Sequence, residues 1–344
     1  MNRNFRFLIG ALTCASLSTS FGTAAAAETI KLRVADSLPA GHYAAEQGIK
    51  PWMASVKRAT AGAVEFEYFP AEQLGKAKDL LSLTLSGVVD VGYIQAAYVS
   101  DKLPLSAIVE LPGIFQSSCV GTAAYWKIAK DGILAKSELE PNGVQLLFAV
   151  VTAPYQAFLA KRRIEGVRSF GGMKMRTAGG TQDLMLRKLK GVPVRVAGPE
   201  MYEAVSRGTA DGVILPPASV LSYDLQKLVK YGTVGESFGT TAITYMISDT
   251  RWKSLPAGVQ KAMLAIGEEA SMNTCAYIDR ENSRVLDKLR QAGVEMTALP
   301  EAGRRELRSL LATTGTEWAE AMDKRGKPGT QVLKAFVEAA KPAQ

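Results

Sequence analysis

Near the start of the chain, two stretches of strict apolar/charged alternation enclose a helical one, and this order constrains the fold more than any other feature. In Ile30–Ala35, Ile30, Leu32 and Val34 alternate with Lys31 and Arg33. In Val64–Phe69, Val64, Phe66 and Tyr68 alternate with Glu65 and Glu67. A period of two marks half-buried strands. Between them Trp52, Met53, Val56 and Ala59 recur at helical spacing, with Pro51 near the start and Gly62 as a stop. Two strands joined through a helix run parallel, because antiparallel neighbours need only a short turn. The chain is therefore expected to be α/β.

The same grammar recurs downstream. A helix over 76–86 ends at Gly87 and leads into a strand over 88–94, while a helix over 199–207 ends at Gly208 and leads into a strand over 213–215. Both junctions read Gly-x-x-Asp, Gly87 to Asp90 and Gly208 to Asp211, an internal echo that suggests two lobes of similar build. Further strands are expected over 144–151, 173–176 and 192–196, with a helix over 181–190 stopped by Gly191. From 256 to 291 the pattern is helical at unusual length, either one helix bridging both lobes or two consecutive surface helices. Open α/β sheets bind ligands beyond the carboxyl ends of their strands, which draws attention to Ser37, His42, Tyr93, Gln95, Tyr155, Arg176 and Leu215.

The first 27 residues read as an export signal. Arg3 and Arg6 precede a short apolar stretch from Phe7 to Leu17, and Ala25, Ala26 and Ala27 supply small residues before a cleavage point. Thr13 before Cys14 is larger than a lipid-attachment signal prefers, so release is favoured over a lipid anchor. No later segment is long and apolar enough to span a bilayer, and no membrane insertion is expected. The formal charge of +8 includes the two signal arginines, and the remaining basic residues are not clustered as nucleic-acid binding requires. Beyond the signal only Cys119 and Cys275 remain, and they either pair in an oxidising compartment or stay as two buried thiols. The sole histidine is His42, and no Cys-x-x-Cys, Gly-x-Gly-x-x-Gly or Gly-x-Ser-x-Gly stretch occurs. This leaves little from which to assemble a catalytic triad or a metal centre, so neither an enzyme, a metal nor a cofactor is expected.

Five segments together carry a resemblance: Phe69-Pro70-Ala71-Glu72-Gln73-Leu74-Gly75, Leu111-Pro112-Gly113-Ile114-Phe115, Gly172-Met173-Lys174-Met175-Arg176, the run from Tyr202 to Gly212, and Trp252-Lys253-Ser254-Leu255-Pro256. In this order and spacing they resemble the DctP-type solute-binding proteins of tripartite ATP-independent periplasmic (TRAP) transporters. The resemblance implies a bilobal periplasmic-binding-protein-like fold, class II-like, with two mixed sheets flanked by helices and a long hinge-spanning helix. The lobes are expected at 28–153 plus 238–281 and at 154–237 plus 282–344. It also implies a periplasmic monomer that delivers a small carboxylate to membrane permease subunits without chemistry. The alternatives are a sensory role feeding a receptor and, more remotely, a periplasmic enzyme on the same frame.

By the same resemblance Arg176, ending its strand, pairs with the ligand carboxylate, the alternative being an internal acidic partner. A guanidinium suits the task because it offers two parallel donors and stays charged when water is excluded. Relatives that bind polar sugar acids add a second arginine about twenty residues earlier and an asparagine after the Asp-Gly pair. Here those places hold Gln156, beside Tyr155, and Leu215 followed by Pro216. The cleft should therefore be more apolar, suiting a monocarboxylate with an aromatic, branched or keto-acid body. Supporting contacts are expected from His42, from Tyr93 or Gln95 on one face of their strand, and from some of Phe115, Tyr155, Tyr223 and Tyr245.

Overall fold

A computed structural model describes residues 29–341; the segment read as an export signal lies outside them. Eleven strands among these residues form two mixed sheets. The first comprises β1 (Ile30–Ala35), β2 (Val64–Phe69), β3 (Val91–Tyr93), β4 (Val144–Val151) and β10 (Ala242–Ser248), in the order β2-β1-β3-β10-β4. Strands β2 and β3 pair parallel with β1, as the crossover helix α1 (Lys50–Ala59) demands, and β10 runs antiparallel to β3 and β4. The second sheet comprises β5 (Gln156–Leu159), β6 (Lys174–Thr177), β7 (Val192–Arg195), β8 (Gly212–Leu215), β9 (Tyr231–Thr233) and β11 (Glu295–Thr297), ordered β11-β9-β5-β8-β6-β7.

The Gly-x-x-Asp echo is a structural repeat. In the first lobe, backbone N–H of Arg33 donates to the Asp90 carboxylate at 2.8 Å, Asp90 N–H returns to Arg33 carbonyl at 3.0 Å, and the Arg33 guanidinium reaches Gly87 carbonyl. In the second, Lys174 N–H donates to the Asp211 carboxylate at 2.8 Å, Asp211 N–H returns to Lys174 carbonyl at 2.7 Å, and the Lys174 ammonium reaches Gly208 carbonyl. Gly87 and Gly208 both adopt positive φ, where a side chain would be strained. The device ties a strand to its parallel neighbour at the end opposite the cleft.

Apart from Gln145 near its start, β4 is apolar because both its faces are covered. Leu147, Phe148 and Val150 join the core beneath α1, whereas Leu146, Ala149 and Val151 join the core beneath α3 (Ser118–Lys130). A bulge at Leu147 shifts the register against β10 between Tyr245 and Met246. As an edge strand β4 would expose unpaired amides, and neighbouring helices satisfy them: Ser271 accepts from Ala149 N–H at 3.1 Å and Thr122 from Val151 N–H at 2.9 Å.

The 256–291 pattern is one helix, α8 (Ala257–Gln291). At 1.5 Å per residue its 35 residues span about 52 Å. Val259 and Met263 pack in the first lobe, and Val285 and Leu289 in the second. Gly267 lets α8 lie against β4, since a Cβ there would collide with the Leu147 carbonyl. Cys119 and Cys275 form a disulfide that fastens α8 to α3. No described helix is long and apolar enough to cross a membrane.

The expected assignment of 282–344 to the second lobe needs correction. Helix α9 (Glu301–Leu311) does pack there through Leu307 and Leu311. The chain then crosses back, and α10 (Thr314–Asp323) and α11 (Gly329–Ala339) bury Trp318, Val332 and Phe336 in the core of α3 and β4.

Candidate functional site

The strand ends of both sheets converge on a cavity of about 40 Å³ between the lobes, far below the roughly 300–1,000 Å³ of ligand pockets generally. The second lobe contributes Tyr155, Arg176, Leu215 and Pro216; the first contributes His42, Tyr93 and Gln95. Seven of the nine residues expected at the site are thus brought together. A larger, open groove of about 650 Å³ lies beside the crossover, lined by Leu111, Ile114, Leu307, Leu333 and others, but it contains none of these seven.

Arg176 sits in β6 between β7 and β8, opposite Val194 and Val213. It is 3% exposed. Its Nε–H donates to Val196 carbonyl at 2.8 Å, which fixes the plane of the guanidinium and leaves the Nη groups for the cavity. Among the described residues no acidic side chain pairs with it, which disposes of the internal-partner alternative. Tyr155 and Tyr223 lie close enough to Arg176 for its charge to favour their ionised forms, but burial dominates and holds both hydroxyls well above the usual phenol range.

His42 is buried in the turn after β1. Its Nδ1 accepts from Ala44 N–H at 3.2 Å, so the ring proton resides on Nε2. Burial lowers its pKa to about 3, and the imidazole is neutral. The ring stacks on Tyr43 at 4.5 Å and meets Tyr223 edge-on at 5.6 Å. Tyr93 donates to Gln95 Oε1 at 2.7 Å, so both residues of the alternating pair reach the cavity, joined to each other.

Two expected residues do not face the cavity. Gln156 is buried, but its amide is consumed by the crossover: Nε2 donates to Glu236 carbonyl at 2.5 Å, and Oε1 accepts from Thr233 Oγ1 at 3.0 Å and from Glu236 N–H at 3.4 Å. Phe115 packs edge-on against Phe336 at 5.9 Å and lies over Gly121, so the returning C-terminal helix claims it. Tyr245 is likewise core, donating to buried Asp36 at 2.7 Å, while Ser37 lines an outer depression beside Tyr202 and Tyr223. Sequence reasoning missed Tyr98, Thr152, Met201, Ser219 and Thr241 on the cavity wall. Only Tyr98 left a signal, being three residues beyond Gln95 in a helical turn.

The lobes are closed on one another. Thr181, opening α4 (Thr181–Lys188), donates its hydroxyl to Glu110 Oε2 at 2.8 Å, and Gly198 N–H donates to the Tyr98 hydroxyl at 3.0 Å. Glu110 is 2% exposed, with Oε1 lacking a partner, and burial pushes its pKa up to about 7.

Two α/β lobes with repeated crossovers, closed over a cavity holding one unpaired guanidinium, define a solute-binding clamp. The bacterial extracellular solute-binding protein family 7, DctP, matches residues 35–321, and the chain belongs to this family. It is 26% identical over 329 residues to the C4-dicarboxylate-binding periplasmic protein DctP of Rhodobacter capsulatus, covering 92% of each chain. Among solved structures, it is similar to a TRAP solute-binding protein from Rhodoferax ferrireducens in complex with copurified benzoate, with TM-score 0.84, 23% identity, and 91% and 98% of the two chains covered. It is also similar to a TRAP periplasmic solute-binding protein from Bordetella bronchiseptica with bound (R)- and (S)-mandelate, with TM-score 0.82, 22% identity, and 90% and 98% covered.

Proposed function

We propose that the chain is the periplasmic solute-binding component of a TRAP transporter and that it captures an organic monocarboxylate with an aromatic, branched or keto-acid body for ion-gradient-driven uptake. The observation that carries this reading is Arg176, buried, held by Val196 carbonyl and unpaired with any described acid. A buried cation without a counter-ion is costly, and a ligand carboxylate supplies the missing charge. The rest of the cavity wall is rich in aromatic and aliphatic side chains, with Leu215 and Pro216 where polar groups serve sugar-acid binders. Benzoate and mandelate in the two structural neighbours are ligands of this kind.

Magnitudes agree. Burying an aromatic body of about 150–250 Å² at about 25 cal/mol per Å² contributes roughly 4–6 kcal/mol. The charge-assisted contact adds roughly 1.5–3 kcal/mol. Together, before ordering costs, they approach the roughly 8 kcal/mol of micromolar binding.

The test is a thermal-shift screen of the exported chain against aromatic and branched monocarboxylates, dicarboxylates and uronates, followed by calorimetry on the hits. Monocarboxylates are expected to raise the melting midpoint, since a ligand that binds only the native state stabilises it by mass action. Arg176→Ala should cost roughly 2–5 kcal/mol of binding. Wild-type affinity in that variant, or stabilisation by neutral sugars alone, would sink the proposal.

A further inference from the structure

The sense of the hydrogen bonds around the cavity limits what it accepts. At His42 the Nδ1 lone pair is taken by Ala44 N–H, so the ring presents Nε2–H. At Gln95 the carbonyl oxygen is taken by the Tyr93 hydroxyl, which leaves the Nε2 amide protons without a described partner. The Tyr98 hydroxyl oxygen accepts from Gly198 N–H and retains its own proton to give. Arg176 is donor only. His42, Gln95, Tyr98 and Arg176 therefore each offer a proton, the Tyr93 hydroxyl has given its own and keeps an acceptor oxygen, and none of the described residues lining the cavity is acidic. With a pKa of about 3, His42 remains a neutral donor across the physiological range.

Resting on the carboxylate reading of this cavity, we infer that His42 and Gln95 of the first lobe select for a second acceptor oxygen on the body of the ligand, as in a 2-oxo acid, and reject the corresponding 2-amino acid. An ammonium group would meet the His42 and Gln95 donors and no carboxylate. A plain acid without the oxygen would leave two buried donors unpaired, which is the condition under which polar sites discriminate strongly. Tyr93 is a positioning residue, since its hydroxyl sets which end of the Gln95 amide faces the ligand.

The experiment is calorimetry with two matched triplets: phenylpyruvate, 3-phenylpropionate and phenylalanine, and 4-methyl-2-oxopentanoate, 4-methylpentanoate and leucine. In at least one triplet the oxo acid should bind about 10- to 100-fold tighter than the plain acid, and the amino acid should not bind detectably. His42→Asn keeps an acceptor for Ala44 N–H but removes the Nε2 donor, and Gln95→Met removes the amide. Each variant should shrink the oxo-over-plain preference several-fold. Tyr93→Phe should also blunt the preference, because the Gln95 amide is then free to turn. Equal binding of oxo and plain acids in both triplets, or an undiminished preference in both His42→Asn and Gln95→Met, would overturn the inference alone. Failure of all six compounds to bind would remove the carboxylate reading and this one with it.

Discussion

Replacing Glu110 by Gln should make the folded protein less sensitive to pH, and the size of the change follows from the carboxyl's surroundings. Glu110 belongs to the first lobe and accepts from the Thr181 hydroxyl and backbone N–H at the start of α4. These bonds favour the charged form. Burial disfavours it more strongly, Asp183 adds repulsion, and the pKa rises from 4.5 to about 7. A group whose folded pKa is raised imposes no penalty below its unfolded pKa, where both states are protonated. As pH rises from 4.5 the unfolded chain ionises first, and stability falls until the folded carboxyl also ionises near pH 7. At 1.36 kcal/mol per pKa unit the total is about 3 kcal/mol, of which about 2.5 kcal/mol lies between pH 5 and 8. Urea denaturation of wild type and Glu110→Gln across that range isolates the contribution, because the other titrating groups cancel in the difference. The variant should gain on the wild type as pH rises and the gap should level off above pH 7. Parallel stability curves would refute the reasoning.

Two further outcomes follow from the packing. Reducing the Cys119–Cys275 bond, or replacing both cysteines by Ser, releases a loop with a sequence separation of 156; chain entropy puts the loss at about 5 kcal/mol, and an unchanged melting midpoint would count against a structural role. Gln156→Leu should cost about 1–3 kcal/mol of stability by stranding Thr233 and Glu236, while ligand affinity measured by calorimetry stays within about twofold; lost affinity in a fully folded variant would return Gln156 to the site.

The alternating strands, the parallel crossover and the long helix were legible because each rests on local periodicity. β4 coincides with the apolar run at 144–151, and α8 with the pattern at 256–291. Even the Gly-x-x-Asp echo marked a repeated device, since a left-handed glycine and a strand-tying carboxylate are local requirements. The place of Arg176 on the cavity wall was readable because the family resemblance and donor chemistry pointed to one residue. The misplacements were of another kind. Counting along the chain puts Gln156 at a ligand position but cannot show that Thr233 and the Glu236 backbone, some 80 residues on, take its amide. For Phe115, nothing in the local sequence signals that Phe336 returns from the C-terminal end to cover it. Both errors are long-range packing, which leaves no trace in a local pattern.

The anchoring of α8 bears on how the halves can part. The disulfide fixes its midpoint to α3, and Asp279 tightens the grip by accepting from Ser118 and Cys119 N–H. Its far end is embedded in the other half through Val285 and Leu289. Separation must then flex the few residues in between, and a flexed helix pushes back in proportion to its deflection. Such a molecule behaves as a sprung jaw with a preferred gape, so that release of the cargo is opposed by the elasticity of a single rod as well as by the contacts the cargo makes.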